Sequence, residues 1–343
     1  VESMINNIGP EYPRILVAMP KGEVRDTFMP SNIIQEINKL GDVEWNNSPD
    51  QYTSEELENK LAGKHICICG WNNARFDKNV LRKADSLKLI AYTAGSVAHI
   101  VSDAMYQKGI KIVSANDCFA ESVAESVMAY IFSSLRDIPY WTSHMQAGGW
   151  KSMPYYNEGI FGKTVGLVGF GATTRYLLNM LKPFKVDVKL YSNHIKAEEA
   201  EKYDVKIASL DEIFSTCNII SLHASLRPET YNMINDSLIK MIPDRALLIN
   251  TARGGIIDED ALADELQKGR FRAVLDVYKV EPLPMESKLR NLRNTILMPH
   301  MGGPTIDRRI TCTKMIIEEI ERFLHGSELQ HEVGMAYASV MTH

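Results

Sequence analysis

The chain has 343 residues, 45% of them hydrophobic and 24% charged, with a formal net charge of −5. That composition fits a globular protein long enough for two domains with separate cores, and its acidic balance speaks against a nucleic-acid-binding face. No apolar run approaches the roughly 20 residues of a membrane helix, and the opening VESMINNIGPEY has neither a basic nor an apolar leader region, so the expected location is the cytoplasm.

In chain order, strand and helix patterns alternate almost throughout, which predicts parallel sheets covered by helices on both faces. Arg14–Ala18 reads as a strand. Ser31 is expected to cap a helix carrying Ile33, Ile34, Ile37 and Leu40 that stops at Gly41. Val43–Trp45 follows as a strand, and Thr53-x-x-Glu56 is a capping-box pattern ahead of Leu57 and Leu61, with Gly63 as the stop. His65–Cys69, Leu87–Tyr92 and Ile110–Val113 continue the strands. Cys67 and Cys69 alternate onto one sheet face as small buried residues, and none of the five cysteines shows metal-ligand spacing, so no metal is expected.

Val123, Val127, Ile131 and Leu135 recur every four residues and predict a helix over Glu121–Leu135. Residues 136–163 read as irregular, with Pro139, Gly148-Gly149, Pro154 and the aromatics Tyr140, Trp141, Tyr155 and Tyr156. A linker of this length is usually functional or bound to a partner, so it is expected to be a dimerisation arm. From Thr164 to His300 a second alternating run shows six strands: Thr164–Val168, Asp187–Tyr191, Asn218–Leu222, Ala246–Asn250, Ala273–Val277 and Ile296–Met298. Ile306–Leu324 is a closing helix expected to return to the first domain. The expected division is therefore a first domain over 1–119, completed by 305–343, which the resemblance described below implies is substrate-binding, and a dinucleotide-binding domain over 120–304. The fold class is α/β, with two parallel-sheet domains of Rossmann and flavodoxin type separated by a cleft.

The strand Thr164–Val168 leads through Gly169-Phe-Gly171 into a helix pattern. Glycines there let backbone N–H groups approach a pyrophosphate, and the helix N-terminus adds partial positive charge. Thr174 stands where the third fingerprint glycine is usual. Three later segments each put a chemical group just past a strand end, where open α/β sheets bind ligands. Arg253 in Thr251-Ala-Arg-Gly-Gly255 is suited to a bidentate grip on a carboxylate. Glu281 lies beyond Asp276, and His300 ends the last strand in Pro299-His-Met-Gly-Gly303. A carboxylate beside an imidazole favours its charged form and makes it a proton donor.

These segments, together with Ser221-Leu-His-Ala-Ser-Leu-Arg-Pro-Glu-Thr230, resemble those of the D-isomer-specific 2-hydroxyacid dehydrogenases, which include glyoxylate/hydroxypyruvate reductases and phosphoglycerate dehydrogenases. The resemblance runs from about Arg14 to the final helix. It implies that Arg253 holds the substrate carboxylate and carbonyl, that His300 is the acid/base, and that Glu281 tunes it. It also implies substrate carboxylate binding by the N–H groups of Gly95 and Ser96, within Tyr92-Thr-Ala-Gly-Ser-Val-Ala-His99, where Ala98-His99 replaces the family's usual Asp-Asn. His99 is read as structural. Asp276 falls on the family's aspartate toward the nicotinamide carboxamide. Further cofactor contacts fall on Gly169, Gly171, Ala172, Thr173, Thr174, Ser192, Asn193, His194, His223, Ala224, Thr230, Thr251, Ala252, His300 and Gly302.

The resemblance implies an enzyme that transfers a hydride between NAD(P)H and a small 2-oxo acid to give a D-2-hydroxy acid. The alternative is an NAD(H)-sensing binding protein resembling a corepressor, with little turnover. At the end of the second strand of the dinucleotide domain, Ser192 replaces the acidic residue that binds the adenosine 2′-OH and repels a 2′-phosphate, so NADP is expected to be accepted alongside NAD. Lys21 and Arg25, after the first strand, are candidates for a second acidic group on the substrate. Trp71, after the third, is expected to face the substrate, and Met153 and Tyr155 to close a partner's pocket. The expected partners are the small acid and a second copy of the chain.

Overall fold

The computed structural model describes residues 7–8, 12–153, 155 and 157–342; Pro154, Tyr156 and most of the opening segment lie outside the described residues. The chain divides into two compact units, one running to Phe119 and resuming at Pro304, the other spanning Ala120–Gly303.

The first unit is built on β1 (Arg14–Val17), α1 (Glu23–Phe28), α2 (Ser31–Lys39), β2 (Asp42–Trp45), α3 (Ser54–Lys60), β3 (Ile66–Cys69), β4 (Leu89–Tyr92), α4 (Asp103–Gln107), β5 (Lys111–Ser114) and the start of α5 (Asn116–Leu135). Its five strands are all parallel, in the order β2-β1-β3-β4-β5, the flavodoxin-like winding with its switch point between β1 and β3. Alternate residues of β1 feed opposite cores: Leu16 packs with Cys67, Cys69 and Leu57 on one face, Ile15 and Val17 with Ile33 and Ile37 on the other. Cys67 and Cys69 are both fully buried. Burial on both faces is why these strands read as unbroken apolar runs.

The Thr53–Glu56 capping box forms in full at α3. Ser31 does not cap α2; it is the first helical residue, and Pro30 occupies the cap without a side-chain bond. Proline there loses nothing, because its missing N–H would have been unpaired anyway.

The second unit continues α5 and adds α6 (Ile138–Gln146), β6 (Thr164–Val168), α7 (Ala172–Leu181), β7 (Asp187–Tyr191), α8 (Ala197–Lys202), β8 (Lys206–Ile207), α9 (Leu210–Thr216), β9 (Ile219–Leu222), α10 (Asp236–Met241), β10 (Leu247–Asn250), α11 (Glu259–Gln267), β11 (Arg272–Leu275) and β12 (Thr295–Leu297). The sheet order is β12-β11-β10-β9-β6-β7-β8, all parallel. Numbered within the unit this is the dinucleotide-binding order, with the chain reversing direction of winding between β6 and β9. The sheet has seven strands rather than the six expected, because two-residue β8 is too short and polar to signal itself. The linker also differs from expectation: Pro139 sits in the first turn of α6, a position where it fits a helix.

Helix α12 (Arg309–Leu324) closes the chain's return to the first unit, where Cys312, Ile316, Ile320 and Phe323 pack into the core with Ile15 and Ile33. Short α13 (Met335–Ala338) follows. Among the described residues, no helix is long and apolar enough to cross a membrane.

Candidate active site

The candidate reacting groups in the second unit are placed by strand ends. Backbone follows from β11 into Asp276, and from β12 through Met298 and Pro299 into His300. The His300 Nδ1 lies 2.6 Å from Glu281 Oε2. The other oxygen of that carboxylate accepts the Tyr278 N–H at 3.0 Å. A carboxylate is an acceptor only, so the imidazole proton sits on Nδ1 and the opposite nitrogen, Nε2, is left for chemistry. The imidazole remains 47% exposed, enough for a small molecule to reach it.

His300 itself adopts a left-handed backbone (φ 54°). This uncommon conformation is held by Asp276, whose Oδ1 accepts the Met301 N–H at 2.8 Å and whose Oδ2 accepts the Gly302 N–H at 2.7 Å. The Tyr130 hydroxyl adds a longer bond of 3.4 Å to Oδ1, and Ser126 Oγ donates to the Gly302 carbonyl. A Cβ on Gly302 would lie 2.6 Å from Asp276 Oδ2, so the clamp needs glycine there. Burial pushes the Asp276 carboxyl above its usual range, opposed by the two N–H donors and by His300.

Arg253 follows β10. Asn250 at the strand end grips the loop from both sides: its Nδ2 donates to the Arg253 carbonyl at 3.0 Å and its Oδ1 accepts the Ala252 N–H at 3.0 Å. The Arg253 Nη1 donates to the Ala252 carbonyl at 2.7 Å. Burial lowers the guanidinium's pKa while the nearby Glu281 charge raises it; an arginine stays charged under either influence. Gly254 lets this loop lie directly on the Glu281 loop, since a Cβ there would fall 1.9 Å from the Tyr278 carbonyl carbon. Asn250 and Gly254 were not singled out in the sequence, although an Asn ending a strand before Ala-Arg-Gly-Gly is a visible signal.

The glycine turn divides its labour. Gly169 (φ 104°) lies against the β9 loop, with a Cβ meeting Ala224 N at 2.6 Å, whereas nothing lies within 4 Å of a Cβ on Gly171. Gly171 is also the N-cap of α7, with no side-chain cap. It therefore leaves open the backbone face a pyrophosphate would approach. Thr174 Oγ1 donates to the Gly169 carbonyl at 2.8 Å, bracing the turn in place of the third glycine. Close strand–helix packing falls instead on Gly166, where a Cβ would meet Ile213 at 2.5 Å.

At the end of β10, Thr251 is buried and its Oγ1 has no hydrogen-bond partner. A buried hydroxyl without a partner is costly, and a ligand at this strand end would supply the missing bond. The open Gly171 face and this hydroxyl both fit a dinucleotide. Other cofactor candidates are committed locally. Thr230 Oγ1 donates to the Ser225 carbonyl and accepts the Arg227 N–H, closing its own loop. Ser192 Oγ accepts the His194 N–H, with Asn193 and His194 exposed. Burial lowers the His223 pKa to about 4, and its Nε2 lies 2.9 Å from Ser221 Oγ. Ala172 and Thr173 form the first turn of α7.

In the first unit, Ser114 Oγ donates to the Ala94 carbonyl at 2.8 Å and to that of Gly95 at 2.5 Å. Ser96 Oγ donates to the Thr342 carbonyl. Trp71, 38% exposed, packs edge-on against Phe28 and Phe119. His99 pairs with the Tyr92 hydroxyl at 3.3 Å. Arg25, one of the two cations expected to meet a second acidic group, is engaged locally. It is buried, its Nη1 donates to the Asn46 carbonyl at 2.6 Å, and its guanidinium lies over Trp45. Lys21 is exposed.

Residues 128–302 match the model of the D-isomer specific 2-hydroxyacid dehydrogenase NAD binding domain. The chain is 31% identical over 304 residues, 88% of its length, to D-3-phosphoglycerate dehydrogenase of Methanocaldococcus jannaschii, and spans 57% of that relative's length. It is 28% identical to the human glyoxylate reductase/hydroxypyruvate reductase, over 85% of this chain and 90% of that one. The TT0316 protein from Thermus thermophilus shares its fold with a TM-score of 0.76 at 25% identity, over 94% of this chain and all of that one.

Proposed function

The chain belongs to the D-isomer specific 2-hydroxyacid dehydrogenase family, and on that premise we propose that it transfers a hydride between NAD(P)H and a small 2-oxo acid, giving a D-2-hydroxy acid. The observation that carries this reading is the 2.6 Å pairing of His300 with Glu281, on a loop packed through Gly254 against the Arg253 loop. When bound, the nicotinamide supplies the hydride. Gly169, Gly171 and the first turn of α7 would hold the pyrophosphate, and Thr251 with Asp276 would face the nicotinamide end.

In this reading Arg253 binds the substrate carboxylate and draws electron density toward the carbonyl oxygen. His300 holds the proton at Nε2 and delivers it to that oxygen, while Glu281 at Nδ1 fixes the ring and balances the charge of the imidazolium. In the first unit, Gly95 and Ser96 would offer backbone N–H groups to a carboxylate. With no acidic side chain from Ser192 to Lys196, nothing in that segment repels a 2′-phosphate, so both NADH and NADPH are accepted. A second copy of the chain is proposed to cover α6 and the exposed Trp150, Met153 and Phe161.

The test is steady-state oxidation of NADH and NADPH with glyoxylate, hydroxypyruvate, pyruvate and branched 2-oxo acids. Turnover that falls by orders of magnitude in His300→Ala and Arg253→Ala supports the reading. Tight cofactor binding without turnover on any substrate would favour the sensor instead, and a strong NADH preference would overturn the cofactor assignment.

A further inference from the structure

We propose that Arg309 is the anchor for a second anionic group on the substrate, so that this chain favours 2-oxo acids bearing a distal carboxylate or phosphate. The inference rests on the 2-oxo acid reading above and deepens it. The sequence offers Lys21 and Arg25 for such a role; Arg25 is buried, with its Nη1 on the Asn46 carbonyl and its guanidinium over Trp45, which leaves it closed to a ligand. Arg309 is in a different condition.

It is the first residue of α12, at the positive end of the helix dipole, where a cation is disfavoured, and the first turn of that helix carries no acidic residue. Among the described residues it makes no ion pair. Its Nη1 donates to Thr27 Oγ1 at 3.0 Å. Its Nε is buried without any partner. The guanidinium lies 5.2 Å from the Trp71 ring centroid and 5.4 Å from that of Phe28. A half-buried guanidinium with an unspent donor and no ion-pair partner has capacity left for an arriving anion. The stacking fixes the planar group without using its in-plane donors, which is the state that suits a two-pronged grip on carboxylate or phosphate.

The surroundings place this cation in a ligand-binding position of its own unit. Trp71 follows β3, one of the two strands at the switch point of the first sheet. Its ring packs on Phe119, 6.0 Å between centroids. Phe119 in turn lies under Gly95, 3.4 Å from where a Cβ would stand. Two aromatic rings thus link Arg309 to the loop proposed to receive the reacting carboxylate.

The experiment compares kcat/KM for oxaloacetate and phosphohydroxypyruvate with that for pyruvate and hydroxypyruvate, in the wild type, Arg309→Met and Arg309→Lys. The wild type is expected to prefer a dianionic substrate, with the two arms telling carboxylate from phosphate. Arg309→Met should lose about tenfold more on that substrate than on pyruvate, mostly in KM, and Arg309→Lys should recover part of the loss. Equal losses on all four substrates, or a wild type indifferent to the second anion, would overturn the proposal. If no 2-oxo acid is reduced, the reaction reading fails and the subsite is judged separately by malonate titration, followed by tryptophan fluorescence with Trp71→Phe as the blank. A saturable change lost in Arg309→Met upholds the subsite, and no change rejects it.

Discussion

Glu281 holds His300 with one carboxylate oxygen, 2.6 Å from Nδ1, and its own loop with the other, 3.0 Å from the Tyr278 N–H. The carboxylate is thereby locked in plane, and the imidazole inherits that orientation. Replacing it with an amide keeps the shape and removes the charge that balances a protonated ring. Glu281→Gln is expected to lower kcat by about a hundredfold with little change in KM, a loss typical of one acid–base component. Glu281→Asp should fall between the two. An unaltered kcat in the amide variant would show that the pairing is structural alone.

The two turn glycines should separate folding from cofactor binding. Gly169→Ala meets the Ala224 backbone and a φ of 104°, so its Tm should drop by several degrees. Gly171→Ala meets nothing within 4 Å and should melt with the wild type. Its methyl group would instead obstruct a pyrophosphate, so its Kd for NADH or NADPH should rise by about tenfold or more. Fluorescence titration of the two variants checks this, and unchanged cofactor affinity in Gly171→Ala would remove the turn from the cofactor site.

Gly254 is where the Arg253 and Glu281 loops touch. A methyl group there would sit 1.9 Å from the Tyr278 carbonyl carbon, so backbone must move, at a cost of roughly 1–3 kcal/mol. Gly254→Ala is expected to lower Tm and to damage activity more than Gly255→Ala, whose nearest neighbours are the side-chain tips of Leu226. Calorimetry and initial rates on the pair would show it; equal behaviour would mean that the loops are not in register through this residue.

Burial of His223 gives a pH signature. Its pKa falls from 6.5 to about 4 in the folded chain, so the unfolded chain takes up the proton first as pH drops. The stability contributed by the neutral ring is therefore complete above pH 6.5 and is lost progressively between 6.5 and about 4. Urea midpoints at pH 7 and pH 5 should differ less in His223→Gln than in the wild type. Equal differences would place the acid sensitivity elsewhere.

Much of this architecture is legible in the sequence because both sheets are buried on both faces. Ile15–Val17, Ile66–Cys69 and Leu247–Ile249 are unbroken apolar runs with turn residues at their ends, a signal that local context cannot hide. Helix α6 escapes because its aromatics lie outward, with Tyr140 and Met145 both exposed, so no apolar face announces the helical period. Strand β8 has two residues, both exposed, and owes its place to pairing with β7. Within the site, Arg253, Glu281 and His300 stand out by residue type after strand ends. Asn250 and Asp276 act through backbone hydrogen bonds, which residue type alone does not announce. Arg25 and Arg309 show the reverse problem: the sequence singles out Arg25, which is buried with its Nη1 on a backbone carbonyl, and gives no sign of the half-buried Arg309 beside Trp71.

Because both oxygens of the Asp276 clamp draw in the amides of Met301 and Gly302, the backbone at His300 is tied to the residue that follows β11, and Glu281 has only the ring left to aim. The segment from Pro284 to Asn291 bears on the imidazole only through the Glu281 loop, whose Leu283 and Pro284 carbonyls Arg290 holds; loss of that hold would turn the ring without moving the backbone that carries it.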